Sequence, residues 1–433
     1  MYFTETQLTH DPYGHYLNST QVFSPDDEWI VYDTRNEDGG IGITGSIEMV
    51  NVATGKVQPL YKTQNQTRYG PGVGAATFSP TDSTVLFIHG IRNANEAAPY
   101  GFARRTGVTI RTLHPFEPVF ADARNVISPF TPGALRGGTH AHTWSGDGQW
   151  ISCTYNDYVL EQLSKTDPTD KDLRTIAVMM PGDVTVPDDG TLENNSGHYF
   201  SALVAEVTEN PKPGTDEIDK AFDECWIGRK GYQKADGSWQ HRAVAFQGNV
   251  RNTKNETVAE VFVTDIPDDI RHPAPGGHLE GTARTRPDLP TGVSQRRITH
   301  TDKGIEGPRH WLRTTSDGAL IFFMAKDAKG TIQIFAVSPN GGNIRQITFN
   351  TFSIQGPLNV SPNDQFVSYI ADNSVFITDI KTHTSERLTP RSTDADAPFG
   401  AVIWSNDGHS LAFNRRVLHE GKPFIQIFLL KQH

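Results

Sequence analysis

A short phrase recurs along this chain: an apolar residue, Ser, Pro or a small residue, Asp or Asn, Gly or Asp, then a β-rich run. Phe23-Ser24-Pro25-Asp26-Asp27 leads into Trp29-Ile30-Val31-Tyr32, and Phe78-Ser79-Pro80-Thr81-Asp82 leads into Val85-Leu86-Phe87-Ile88. Trp144-Ser145-Gly146-Asp147-Gly148 leads into Trp150-Ile151-Ser152-Cys153, and later copies begin at Thr314, Val360 and Trp404. Such a core suits a tight turn, because Pro presets φ and Gly or Asn tolerates positive φ. Each phrase therefore marks a hairpin, and hairpins repeated at blade length spell a β-propeller.

The copies are spaced 55, 66, 170, 46 and 44 residues apart. The last two intervals approximate one four-stranded blade, so the long one holds a degenerate blade and insertions. We expect its strands at His198–Val207, Arg242–Asn249, Val258–Ile266 and Gln295–His300. We expect an insertion near 208–240, in which Asn210–Cys225 forms a Pro-Gly turn and a short helix. The expected fold class is all-β, a seven-bladed propeller forming one domain over 1–433. Outer strands end in an apolar-Thr pair, as in Gln346-Ile347-Thr348, Arg297-Ile298-Thr299 and Arg387-Leu388-Thr389. The last blade lacks this phrase, whereas Thr6-Gln7-Leu8-Thr9 carries it at the N-terminus. An N-terminal strand should therefore complete the C-terminal blade and close the ring, leaving no open sheet edge.

Composition narrows the function classes. With 433 residues, 36% of them hydrophobic, the chain can bury a large core. A net charge of −11 argues against a nucleic-acid partner, which would need a basic stripe. No apolar run is long enough to span a membrane, and the N-terminus shows no export signal. The expectation is a cytoplasmic monomer, or a periplasmic one if a leader has been removed. Cys153 and Cys225 read as buried free thiols.

The connections that lead into inner strands should carry the chemistry, since they crowd the channel mouth. Pro129–His142 is the richest of them. His140 and His142 are two apart on an extended chain, so their side chains should share a face and offer half of a divalent-metal site. His140 stands seven residues before Asp147, as His310 does before Asp317, so His310 should join them. Arg309 lies beside His310, Gln355 occupies the matching stretch of the next blade, and His15 and His198 open two others. Asp394 and Asp396 precede the last copy. Gly70-Pro71-Gly72-Val73-Gly74 lacks the Lys-Ser/Thr of a phosphate loop, and no G-x-S-x-G elbow is present.

At these residues the chain resembles the YidR-like family of TolB-type, WD40-like-repeat propellers. The resemblance lies in Phe87-Ile88-His89-Gly90, Pro129–His142, Thr154-Tyr155-Asn156-Asp157, Pro211–Ile218, Pro308-Arg309-His310-Trp311 and Ser338-Pro339-Asn340-Gly341-Gly342. Thr139-His140-Ala141-His142 is similar, more distantly, to the Thr-His-x-His phrase of oligogalacturonate lyases. Those are seven-bladed propellers that hold manganese with His and Gln ligands. Gly137 stands where that family has its Gln, and Gln355 would have to replace it.

That resemblance implies a lyase or related enzyme acting on acidic oligosaccharides. A divalent ion (manganese, zinc or calcium) would be held by His140, His142 and His310. Arg136 and Arg309 would serve the carboxylate in catalysis, and His15, His198 and Gln355 would bind substrate. Arg104 and Arg105 could add to a locally basic mouth. The alternative is a non-catalytic propeller that binds a protein partner, as the TolB-type scaffold does.

Overall fold

The computed structural model describes residues 2–167 and 171–433. Seven antiparallel sheets follow one another around a channel, six of them four-stranded. Blade 1 has three registered strands, Trp29–Asp33, Ser46–Asn51 and Val57–Lys62. Its inner edge is irregular chain, attached through bridges at Tyr16–Asp33 and Phe23–Ile30. Blade 2 runs Val73–Phe78, Thr84–Gly90, Arg105–Arg111 and Val119–Phe120. Blade 3 runs Gly137–Trp144, Ile151–Asp157, Thr175–Val184 and Gly197–Leu203. Blade 4 runs Ala221–Trp226, Arg242–Arg251, Thr257–Ile266 and Ser294–Arg297. Blades 5 and 6 start at Arg313–Thr314 and Asn359–Val360, and blade 7 starts at Phe399–Trp404.

The recurring phrase is a built turn. In every copy but that of Ser79, the first Ser or Thr hydroxyl donates to the Asp or Asn two residues on and accepts the N–H five residues on. Ser361 does so with Asn363 (2.7 Å) and Phe366 (2.9 Å), and Thr315 with Asp317 (2.6 Å) and Leu320 (3.1 Å). The fifth position of the phrase takes positive φ in every copy but the one ending at Asp82, as at Asp27 (59°), Gly148 (68°) and Asp364 (60°). Asp27 and Asp364, at that position, also bind the preceding blade. Asp27 accepts the Asn406 N–H at 2.7 Å, and Asp364 the Ser316 N–H at 2.8 Å.

The core lies between neighbouring blades rather than in one central mass. Trp150, Ile176, Val244 and Phe246 pack blades 3 and 4 together, and Phe322, Met324, Val367 and Tyr369 pack blades 5 and 6. The N-terminal strand Phe3–Gln7 pairs with Lys422–Gln432, placing Thr6 opposite Leu429. Leu8 N–H extends the ladder to the Ile427 carbonyl (2.8 Å), and Arg415 Nε meets Glu5 at 2.9 Å. The ring is thus closed by the strand that the displaced Thr6-Gln7-Leu8-Thr9 phrase announced.

Blade 4 corrects two expectations. The stretch expected to open it, His198–Val207, instead supplies the outer strand of blade 3, with Phe200 opposite Met180. The inner strand of blade 4 is Ala221–Trp226, which overlaps the end of the segment expected to be helical. Asn210–Cys225 contains no helix: its end is extended inner strand, with Asp223 lining the channel and Glu224 buried between blades. The tight turn is replaced by residues 227–241, which form a ribbon of Tyr232–Gln233 with Trp239–Gln240. A second excursion, 267–293, precedes the outer strand. Blade 3 inserts a helix, Tyr158–Ser164, capped by the Asp157 carboxylate accepting Leu160 N–H at 2.9 Å.

Candidate functional site

All seven blades contribute to a cavity of about 810 Å³ at the channel mouth. Four inner strands break register where they meet it, between Gly74 and Thr77, His140 and Thr143, Phe222 and Cys225, and Phe399 and Ile403. Each break carries a residue at positive φ that lines the cavity: Ala75 (54°), Ala141 (57°), Asp223 (53°) and Gly400 (71°). A β-bulge bends its strand and re-aims the side chains beyond it. Three of these residues are not glycine, so the backbone is strained around the cavity. At Ala75 the conformation is held by its N–H, which donates to Asp33 at 2.8 Å.

The bulge at Ala141 separates the histidine pair. A straight strand would aim both imidazoles one way. Instead His140 lines the cavity, whereas His142 turns between blades 2 and 3. It fits there because Gly107 has no side chain: a Cβ on Gly107 would lie 2.9 Å from His142 Nε2 and 3.0 Å from Asp122 Oδ1. Asp122 is fully buried, accepts the Gly107 N–H at 2.6 Å, and has its pKa raised to about 6 by burial. Burial lowers His142 to about 3 and, together with Arg105 and Arg174, holds His140 well below the usual imidazole range. Both rings are therefore neutral at pH 7.

His310 lines the cavity, yet both its ring nitrogens are engaged. Nδ1 donates to the Pro308 carbonyl at 2.8 Å, and Nε2 accepts the Met324 N–H at 3.1 Å. Its pKa is lowered to about 4, chiefly by burial. No lone pair remains for an ion, so the expected three-histidine metal site is not formed. Among the described residues no group of three or more His, Cys, Asp or Glu side chains is placed to hold a metal. His140 and His142 keep unpartnered nitrogens, but they diverge, and the charges nearest His140 are cationic.

Other expected site residues lie elsewhere. His15 is buried, stacked on Tyr13 with ring centroids 4.4 Å apart, and bonds the Ile425 carbonyl. His198 is exposed on the outer strand of blade 3, 2.6 Å from Asp183. Gln355 is exposed and exchanges hydrogen bonds with Asn373 (2.8 and 3.1 Å). Arg136 is fully buried, paired with Asp157 at 2.8 Å and donating to the carbonyls of Thr282 and Thr285. It pins the 267–293 excursion to blade 3 and does not reach the cavity. Asp394 and Asp396 bond Asn373 and Arg415 at the rim. Arg104 pairs with Glu193 at 2.5 Å outside the cavity.

Arg309 does line the cavity, 3.7 Å from Asp223. With it stand Arg105, Arg174 and Lys220, which sequence reasoning either mentioned only in passing or missed. Each cation lies over an aromatic ring. Phe102 is flanked by Arg105 at 4.7 Å and Arg174 at 4.8 Å, Phe222 by Lys220 at 4.4 Å, and Trp311 by Arg309 at 4.6 Å. Burial, and then neighbouring cations, lower the pKa of Arg174 and Lys220, so the charges form one repelling group. Asp223 is the carboxylate among them; Asp38, near Arg35, and Glu306, paired with Lys326, line the cavity further round. Glu224, next to Asp223, is buried with its pKa raised to about 8 by burial, so it adds no negative charge at pH 7. A chain of net charge −11 thus concentrates positive charge in its channel. No repeat signal marks Arg174 or Lys220, because they come from a blade 3 insertion and from the connection into blade 4 rather than from the phrase.

Beneath the cavity Arg313 Nε donates to Asn359 (2.6 Å), and both side chains donate to the Ser19 carbonyl (2.9 and 3.0 Å). This knot ties blades 5 and 6 to blade 1.

Across 416 aligned residues the chain is 35% identical to the uncharacterised protein YidR of Escherichia coli (strain K12), covering 94% of each. It belongs to the YidR family. Residues 72–193, which supply Arg105, His140 and Arg174, match a protein family of unknown function, DUF3748. An oligogalacturonate lyase solved in complex with manganese superposes with a TM-score of 0.54 at 12% identity, covering 99% of this chain and 93% of that one. A puromycin hydrolase mutant gives 0.51 at 10% identity, covering 94% of this chain and 53% of that one. At such identities these two likenesses show the propeller fold that this YidR-family chain shares with them.

Proposed function

We propose that the channel cavity of this YidR-family protein binds an acidic oligosaccharide. The reading rests on one observation above the rest: Arg105, Arg174, Lys220 and Arg309 each lie against an aromatic ring in the same cavity. Cations pair with carboxylates, and exposed ring faces stack on the apolar faces of sugars. Phe102, 59% exposed, presents such a face. The volume, about 810 Å³, suits a ligand of a few sugar units. Lyase chemistry is the finer form of this reading. It would remove the proton α to a carboxylate and expel the glycosidic oxygen from the β carbon, leaving a conjugated double bond.

The test is calorimetric titration of the full chain with uronic-acid oligomers and with neutral oligomers of equal length. Acidic oligomers should bind with an affinity that falls as salt rises, and neutral ones should not bind. Ultraviolet absorbance of the conjugated product reads turnover in the same samples. Arms with added manganese, zinc or calcium test the cofactor expectation; with these side chains, binding should not depend on the ion. No binding of any acidic oligomer would sink the reading and leave the protein-binding propeller in first place.

A further inference from the structure

Arg105 is nearly fully buried, and its neighbours satisfy only part of it. Nη1 donates to the Tyr100 hydroxyl at 2.7 Å, whereas Nε and Nη2 have no hydrogen-bond partner. Those two atoms form one edge of the guanidinium, and elsewhere in this protein that edge holds a carboxylate. Arg35 presents it to Asp33 at 2.6 and 2.9 Å, Arg271 to Asp269 at 2.8 and 2.8 Å, and Arg415 to Glu5 at 2.9 and 3.3 Å. Such forked pairs are the strong, directional form of the interaction. Leaving the fork buried and unpaired carries a desolvation cost, which a ligand carboxylate would offset.

His140 has the same character. It is 4% exposed, lines the same cavity, and has both ring nitrogens buried without a partner. Phe102 adjoins both groups, 4.7 Å from the Arg105 guanidinium and 5.9 Å between ring centroids from His140. A neutral imidazole offers one donor and one acceptor. The other cavity arginines differ: Arg35 has its fork filled by Asp33, Arg174 Nε donates to Asn156, and Arg309 Nε faces Asp223.

We infer that Arg105 and His140 form a carboxylate-receiving subsite beside Phe102, in which the Nε–Nη2 edge of Arg105 pairs with both oxygens of one ligand carboxylate. The imidazole N–H donates to that carboxylate or to an adjacent hydroxyl. The inference deepens the acidic-saccharide reading, although a carboxylate on another scaffold would meet the same atoms.

The experiment follows the arginine Nε–H resonances of the full-length protein by NMR, Arg105 being assigned by its loss in Arg105→Lys. Acetate and glucuronate should shift the Arg105 signal saturably, whereas acetamide and glucuronamide should not. Arg105→Lys keeps the charge and loses the fork, so glucuronate affinity should fall about ten- to hundred-fold. His140→Gln should weaken binding several-fold at unchanged melting temperature, and it serves as the second variant if Arg105→Lys unfolds. Equal shifts from the amides or from inorganic phosphate would overturn the carboxylate assignment. Wild-type affinity in Arg105→Lys or in His140→Gln would overturn the subsite. A response to acetate with none to glucuronate would leave the subsite standing and remove the saccharide reading.

Discussion

Glu224→Gln gives the sharpest test of how the cavity keeps its charge. Glu224 is fully buried behind Asp223; Thr154 Oγ1 donates to its Oε2 at 2.9 Å, and Oε1 has no partner. Burial raises its pKa to about 8, against an ordinary value near 4.5. In the unfolded chain the proton leaves above about pH 4.5, whereas in the fold it is retained to about pH 8. Between those limits the native state binds more protons than the unfolded one, so stability falls as pH rises. At about 1.4 kcal/mol per pH unit, the loss between pH 5 and pH 8 is roughly 3 kcal/mol. The glutamine cannot ionise and keeps the acceptor for Thr154, but it buries an amide without an acceptor. At pH 5 the variant should therefore be less stable than the wild type by about 1 kcal/mol. By pH 8 the order should reverse, because only the wild type must either hold an acid proton or bury an anion. For a chain of this length about 1 kcal/mol corresponds to roughly 1 °C, so the melting difference should change by about 3 °C in favour of the variant. Melting curves of both proteins from pH 5 to pH 8 read this directly. A difference that does not change with pH would mean that Glu224 is ionised in the fold, and the cavity would then lose much of its positive field.

Removing residues 1–7 should lower the melting temperature sharply, since it strips the Phe3–Gln7 pairing from blade 7 and exposes a sheet edge; unchanged melting would contradict non-covalent ring closure. Arg136→Ala leaves Asp157 buried without its cation, and a destabilisation of about 3–5 kcal/mol is expected in chemical denaturation. The same variant should increase proteolysis within 267–293, whose Thr282 and Thr285 carbonyls it no longer holds. The double variant His198→Ala/Gln355→Ala alters two exposed side chains outside the cavity, so ligand affinity should stay within two-fold of wild type, roughly 0.5 kcal/mol.

The resemblance to YidR-like proteins was legible in short stretches such as Pro308-Arg309-His310-Trp311, and the full-length likeness to YidR bears it out. The blade count was legible because a turn is a local object. Ser361, Asn363 and Phe366 make their hydrogen bonds within six residues, so the phrase shows wherever it recurs. The N-terminal strand was legible for the same reason, as a displaced copy of an outer-strand ending. Blade 4 was misjudged at its start because its turn is replaced by the 227–241 ribbon, which removes the local mark.

The site follows a different logic. Matching positions in the repeat point to one axis, and on that ground His140, His310 and Arg309 do reach the cavity wall. Whether a side chain there is available depends on contacts distant in sequence. The Met324 N–H takes the lone pair of His310, and the Ala141 bulge turns His142 away from the channel. Arg174 and Lys220 reach the cavity from the end of a blade 3 insertion and from the connection into blade 4, where no periodic pattern governs them. The sequence alone determined the ring, six of its hairpins and its closure, because turn chemistry acts over a few residues. Only the tertiary structure decided which polar atoms are left unsatisfied in the channel. That depends on the desolvation and partner geometry of groups brought together from separate blades.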